Sequence, residues 1–248
     1  FRTLFGTAYA TYRLNEQNSI TLQASAFHTK EQETYDITGQ YWLNALDGGT
    51  QTDGSTGEDE TSETIGVGTY MEHARNYLTA EVQSYSLTGH HRLKSHSLQW
   101  GAEFKRERIK DRMREWEMRD SAGYSIPQTP EGPELFYTLR SRNETDSKRY
   151  SFYLQDTYRF RSTAGLFTLT AGVRGSYWDW NKEFFFSPRA SLALIPSFNE
   201  NFTLRVAAGV YYQAPFYKEF RDTTQVGAIT TVSLNRDIRS QRSLHFVA

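Results

Sequence analysis

Cysteine is absent from the 248 residues, and methionine occurs only three times and proline six. Without cysteine there is no disulfide framework, no thiol nucleophile and no cysteine-based zinc or iron–sulfur site. An excess of one charge is missing too: 28 Lys and Arg stand against 29 Asp and Glu, a formal net charge of −1. A protein that grips nucleic acid by neutralising phosphates needs a cationic excess, so nucleic acid is not expected as a partner. No run of about 18 apolar residues occurs, which removes transmembrane helices. The first residues, Phe1-Arg2-Thr3-Leu4, carry neither an initiator methionine nor a signal peptide, and the natural N-terminus is expected further upstream.

Catalytic motifs are lacking as well. There is no Gly-x-Ser-x-Gly elbow, no His-Glu-x-x-His and no phosphate loop, and Gly66-Val67-Gly68 is too short for a dinucleotide fingerprint. His90, His91 and His96 lie near one turn without an acidic partner at ligand spacing, and read as polar turn residues. The carboxylates of the loops single out no glycosidase pair. The acidic stretch from Asp47 to Glu63 lacks the EF-hand order of acids, Gly and terminal Glu, and reads as a solvated loop. The chain is accordingly read as no enzyme, with no resident cofactor or metal.

What is present is aromatic: 15% of residues are Phe, Tyr or Trp, although the whole hydrophobic set reaches only 38%. The dominant period is two. Phe202, Leu204, Val206, Ala208, Val210 and Tyr212 alternate with Thr203, Arg205, Ala207, Gly209 and Tyr211. Leu192 and Leu194 share a face in the preceding segment, opposite Arg189 and Ser191, and Pro196–Asn201 supplies the turn of a hairpin. Similar alternation recurs in about nine strands of roughly 9–12 residues, long for a soluble sheet. Short turns fall near 15–18, 91–95, 161–165 and 196–201, and the links near 31–70, 106–148, 179–186 and 214–239 are mostly long and polar. Short and long alternate, as expected of an all-β, antiparallel up-and-down transmembrane barrel with tight turns at one end and long extracellular loops at the other. Its strands need about 9–11 residues to cross a bilayer core.

A barrel also explains the composition. Lipid covers one face and water wets the other, so every second residue is free to be polar. The expected lipid-facing set is Leu192, Leu194, Phe202, Leu204, Val206 and Val210. Arg174, Arg189 and Arg205 are expected in the lumen, since a lipid-facing cation costs about 2–4 kcal/mol. Rings at strand ends, including Tyr177-Trp178 and Phe184-Phe185-Phe186, suit the headgroup level. Glu103–Arg119 would place like charges at i,i+4 as a helix (Glu107/Asp111, Arg108/Arg112), so a strand running past the bilayer is expected there. A soluble sandwich with an aromatic carbohydrate-binding face is the competing architecture.

From Lys148 to the end the sequence resembles the barrel of TonB-dependent outer-membrane receptors. The resemblance rests on Tyr153-Leu154-Gln155-Asp156, Gly172-Val173-Arg174, Asn181, Ser187-Pro188-Arg189, Asn201-Phe202-Thr203-Leu204-Arg205 and Gln213-Ala214-Pro215, in that order. Gln213 stands where the family's commonest form has Arg, and no plug domain or TonB-contacting box is found. The resemblance implies that residues 1–248 are part of a single barrel domain of about 22 strands, with neighbouring strands outside this chain pairing at both ends. It further implies the outer membrane of a Gram-negative bacterium, and active uptake of a bulky nutrient such as a siderophore, glycan or peptide. The expected partners are the TonB complex, reached through a plug outside this chain, the lipid bilayer and, in some members, a surface-exposed lipoprotein. Tyr41, Trp42, Trp116, Trp178 and Trp180 are candidate ligand contacts. A passive porin-like or structural barrel is the alternative within the membrane class.

Overall fold

The computed structural model of the protein describes residues 1–44, 64–120 and 132–248. The acidic Asp47–Glu63 stretch lies outside them. Nine strands follow one another in the sheet as they do in the chain: β1 Arg2–Asn15, β2 Asn18–Asn44, β3 Thr64–Leu93, β4 His96–Asp120, β5 Glu134–Ser162, β6 Gly165–Trp178, β7 Glu183–Pro196, β8 Leu204–Gln213 and, after an excursion, β11 Gln241–Val247. Every neighbouring pair on this path is antiparallel. Among the described residues β1 and β11 pair on one side only, so the sheet is an open, partial barrel.

There is one layer and almost no conventional core. Ala74, Leu139, Trp178 and Phe220 are the buried hydrophobics among the described residues. The accessible surface is 18016 Å², against about 11,300 Å² for a compact monomer of this mass. The soluble two-sheet sandwich is therefore not the architecture.

Register separates the two faces cleanly. Leu22 pairs with Leu87, Leu87 with Ala102, Ala102 with Phe152, Leu169 with Leu192, and Leu192 with Val206. The opposite face carries Thr21, Thr88, Gly101, Tyr153, Arg174 and Ser187 at matching positions. Aromatic rows bound the apolar face. Tyr85, Phe104, Tyr150 and Tyr177 form a ladder across β3–β6 with successive centroids 6.4, 5.3 and 6.4 Å apart. Nearer the tight turns, His96, Tyr158, Phe160 and Phe167 form the second row at 4.5, 5.2 and 5.0 Å. Along β5 the rows stand ten residues apart, Tyr150 to Phe160, about 33 Å of strand. At a tilt of about 40° that is close to the roughly 25 Å apolar band of an outer-membrane barrel. Beyond the upper row the same face turns to charge: Arg106 and Arg108 lie 2.5 and 3.2 Å from Asp146, and Lys110 lies 3.2 Å from Glu144.

Glycines on the strands are roofed by rings from the neighbouring strand. A Cβ at Gly89 would run into Trp100, at Gly101 into Tyr153, at Gly175 into Phe152, at Gly68 into Tyr41 and at Gly39 into Tyr70. Each is a directly opposed pair, so the ring covers the backbone that glycine leaves bare.

Three features depart from the sequence reading. β2–β5 run 25–30 residues, so much of the presumed loops 31–70 and 106–148 is strand, including the expected one over Glu103–Arg119. The 179–186 link shrinks to the turn between Trp178 and Glu183, with Lys182 at φ 56°, because Phe184–Phe186 belong to β7. The 214–239 link is built rather than open. It holds a 3-10 turn, Tyr217–Phe220, and a hairpin of β9 Arg221–Val226 and β10 Ile229–Leu234. β10 adds in parallel to β5 through Ile229↔Thr138 and Thr231↔Arg140.

Candidate functional site on the polar face

The 214–240 segment is pinned against the polar face. Phe220, 4% exposed, sets its ring 5.1 Å from Trp178 and 5.9 Å from Trp180. Trp180 Nε1 donates to the Asn235 carbonyl at 3.2 Å, and Arg236 lies over the Trp180 ring at 4.7 Å. Asn181 Nδ2 donates to the Ile238 carbonyl at 2.7 Å. Glu183 accepts from the Ser240 hydroxyl at 2.7 Å and the Ser240 N–H at 3.0 Å. Burial pushes the Glu183 carboxyl upward, but these hydrogen bonds and one from Asn181 outweigh it and hold it below the usual range. Further along, the Tyr217 hydroxyl donates to Asp111 Oδ2 at 3.1 Å, and Arg221 stands 3.6 Å from the same oxygen. Burial raises Asp111 against the pull of both partners. Burial also raises the Tyr217 hydroxyl, with the Asp111 charge adding to it.

Beside this strap lies a pocket of about 320 Å³ walled by β4–β7 and closed by Tyr212 and Ala214. Alternation sends Glu103, Lys105, Arg149, Ser151, Arg174, Ser176, Ser187 and Arg189 to one side of four adjacent strands, so the cluster follows from register. Arg149 stacks over Trp178 with Cζ 4.5 Å from the ring, and its Nη2 lies 3.5 Å from Glu107. Lys105 is 2.7 Å from Glu107, and Arg174 is 3.9 Å from Glu103. Arg189 lies over the Tyr211 ring at 4.7 Å.

The sequence candidates separate into groups. Trp178 and Trp180 come together around Phe220. Tyr41 donates its hydroxyl to the Asp120 carbonyl at 2.9 Å on the far part of the wall. Trp116 stacks on His73 at 5.0 Å, and His73 in turn meets Asp36 at 2.6 Å. Register puts Trp116 and Trp42 on the same side as the apolar band, above it, and Tyr41 on the polar side. Arg174 and Arg189 line the pocket, whereas Arg205 stands on the polar face opposite Ala193, closer to the tight turns. Leu192, Leu194, Leu204, Val206 and Val210 share the apolar face. Phe202, 46% exposed, precedes β8 in the turn rather than lying within the strand. The three histidines diverge: His90 meets Ser97, His91 meets Asn18 and Trp100, and His96 meets Asp156. Lys105, Arg149 and Phe220 were not singled out from sequence, although the polar parity of Lys105 and Arg149 was available there.

Among solved structures the chain is similar in fold to the RagAB peptide importer in its "open-open" state, with a TM-score of 0.51 and 10% identity. That likeness covers 98% of this chain and 27% of the other, so the protein spans about a quarter of that importer chain. Comparison with curated protein sequences finds no match. The sequence matches the family described as TonB dependent receptor-like, beta-barrel, over residues 2–246. With nearly the whole length matched, and an open antiparallel sheet banded by two aromatic rows, the chain belongs to the TonB-dependent receptor-like β-barrel family.

Proposed function

We propose that this chain forms part of the barrel wall of an outer-membrane receptor of a Gram-negative bacterium that imports a bulky nutrient with energy delivered through TonB. The carrying observation is the asymmetry of the sheet: one face holds an apolar band between two ring belts, and the other holds a charged pocket beside a folded strap. Lipid on the first face and a lumen on the second satisfy both chemistries at once. In this reading the tight turns are periplasmic, the long connections are extracellular, and Arg174, Arg189 and Arg205 face the channel interior. Backbone at the two unpaired edges has no water to bond in hydrocarbon, so the remaining strands of the barrel, and a plug gating its lumen, come from the rest of the protein. The cargo is a siderophore, glycan or peptide, and a surface lipoprotein is a candidate co-receptor; the likeness to a peptide importer adds weight to peptide. The wall performs no bond chemistry itself.

A passive porin is the second reading, favoured by nothing specific in the pocket or strap. Uptake distinguishes the two. In cells producing the full-length protein, accumulation of its nutrient is expected to stop when TonB is deleted or a protonophore collapses the membrane gradient, while surface binding persists. Accumulation indifferent to both treatments would establish the porin.

A further inference from the structure

We propose that the pocket beside the strap holds an oxyanion group of the cargo, a carboxylate or a phosphate; this rests on the import reading above. Four cations, Lys105, Arg149, Arg174 and Arg189, line it against one lining carboxylate, Glu103. Glu107 beside it is shared between Lys105 and Arg149, and the Glu103–Arg174 pair is long at 3.9 Å. Two carboxylates therefore answer four cations. Among the described residues Arg189 has no carboxylate within ion-pair distance; its guanidinium rests on the Tyr211 ring.

The second observation is independent of that count. Trp178 is 1% exposed, yet its Nε1–H has no acceptor, and neither has the buried Nε–H of Arg149 stacked over it. Buried donors without acceptors are rare and destabilising, and they mark places where a ligand or ordered water completes the bonding. Both belong to the pocket wall. An oxyanion there pairs with the Arg189 fork, since guanidinium planes match planar carboxylates and phosphates with paired hydrogen bonds, while the two covered N–H groups stay within the wall. The pocket lies level with the upper ring row, since Ser151 and Ser176 adjoin Tyr150 and Tyr177. In the import reading this is the channel mouth, where arriving cargo passes.

The test uses the full-length protein in detergent at physiological salt, titrated calorimetrically with tricarballylate, with pyrophosphate and with neutral tricarballylamide. One or both oxyanions are expected to bind and the amide not. Arg189→Gln is expected to weaken that binding about tenfold, as a lost charge-assisted hydrogen-bond pair would. Arg159→Gln, on the same face near the tight turns, should change it less than about twofold, because screening confines each charge to its neighbourhood. Preference for tricarballylate assigns a carboxylate, and preference for pyrophosphate a phosphate. Binding of neither, equal binding of the amide, or an Arg189→Gln protein that melts and binds like the parent would overturn the proposal. This equilibrium needs neither TonB nor an energised membrane, so its failure is distinct from failure of the uptake experiment.

Discussion

Asp111 shows how one buried carboxylate fastens the strap. It is 4% exposed, accepts from Tyr217 and faces Arg221, yet burial dominates and its pKa is raised. An unfolded aspartate ionises near pH 3.9, and Asp111 in the fold ionises later. The stability it contributes is therefore fully present below the unfolded value and is lost as the pH rises through the folded one. Asp111→Asn, neutral at every pH and still an acceptor, is expected to flatten that part of the profile, read as melting temperature between pH 4 and 8. Tyr217→Phe should cost about 1 kcal/mol across the same range. If Asp111→Asn steepened the pH dependence, the carboxylate would instead be a net charged anchor.

At the scale of elements, strand length is set by what touches the two faces. Within the band, apolar and polar residues alternate and the strands were legible, as the alternation of Leu192 and Leu194 with Ser191, and that of residues 204–212, illustrate. Above it both faces of the wall carry polar groups, the hydrophobic alternation fades, and residues 31–44, 64–70 and 134–148 looked like loops. Only Glu103–Arg119 was legible there, because helix geometry would have stacked its like charges. The β9–β10 hairpin escaped notice because six-residue strands leave little periodicity, and because its partner on β5 lies about ninety residues earlier in the chain. The pocket was half legible: parity exposed Arg174 and Arg189, but the closure by Tyr212 and Ala214, and the packing of Phe220 on Trp178, depend on tertiary contact. Turn chemistry adds a prediction. Lys94, in the turn between β3 and β4, holds φ at 49°, a region that disfavours a side chain with Cβ. Lys94→Gly is expected to raise stability by about 0.5–1 kcal/mol, measured by urea titration of the full protein folded into vesicles; a loss would mean that the lysine makes a compensating contact.

For the whole molecule, the decisive quantity is the medium on each face. Leu22, 58% exposed on the apolar face, pairs with Ala10 and Leu87 within the band. Leu22→Arg should cost about 2–4 kcal/mol in a bilayer. Gln23→Arg, one residue on and facing the other way, should cost less than about 1 kcal/mol, the ordinary effect of a wetted site. Reversible unfolding from lipid vesicles measures both, and equal costs would remove the two-media picture.

Because each barrel strand bonds to its neighbours in the chain, a whole hairpin can be gained or lost by duplication or deletion with only two seams to re-form. Such a wall is free to change its circumference in steps of two strands. The parallel splice of β10 onto β5 breaks that modularity. It ties the strap back to β5 across β6–β8, so removing a hairpin from that stretch would also break the parallel pairing.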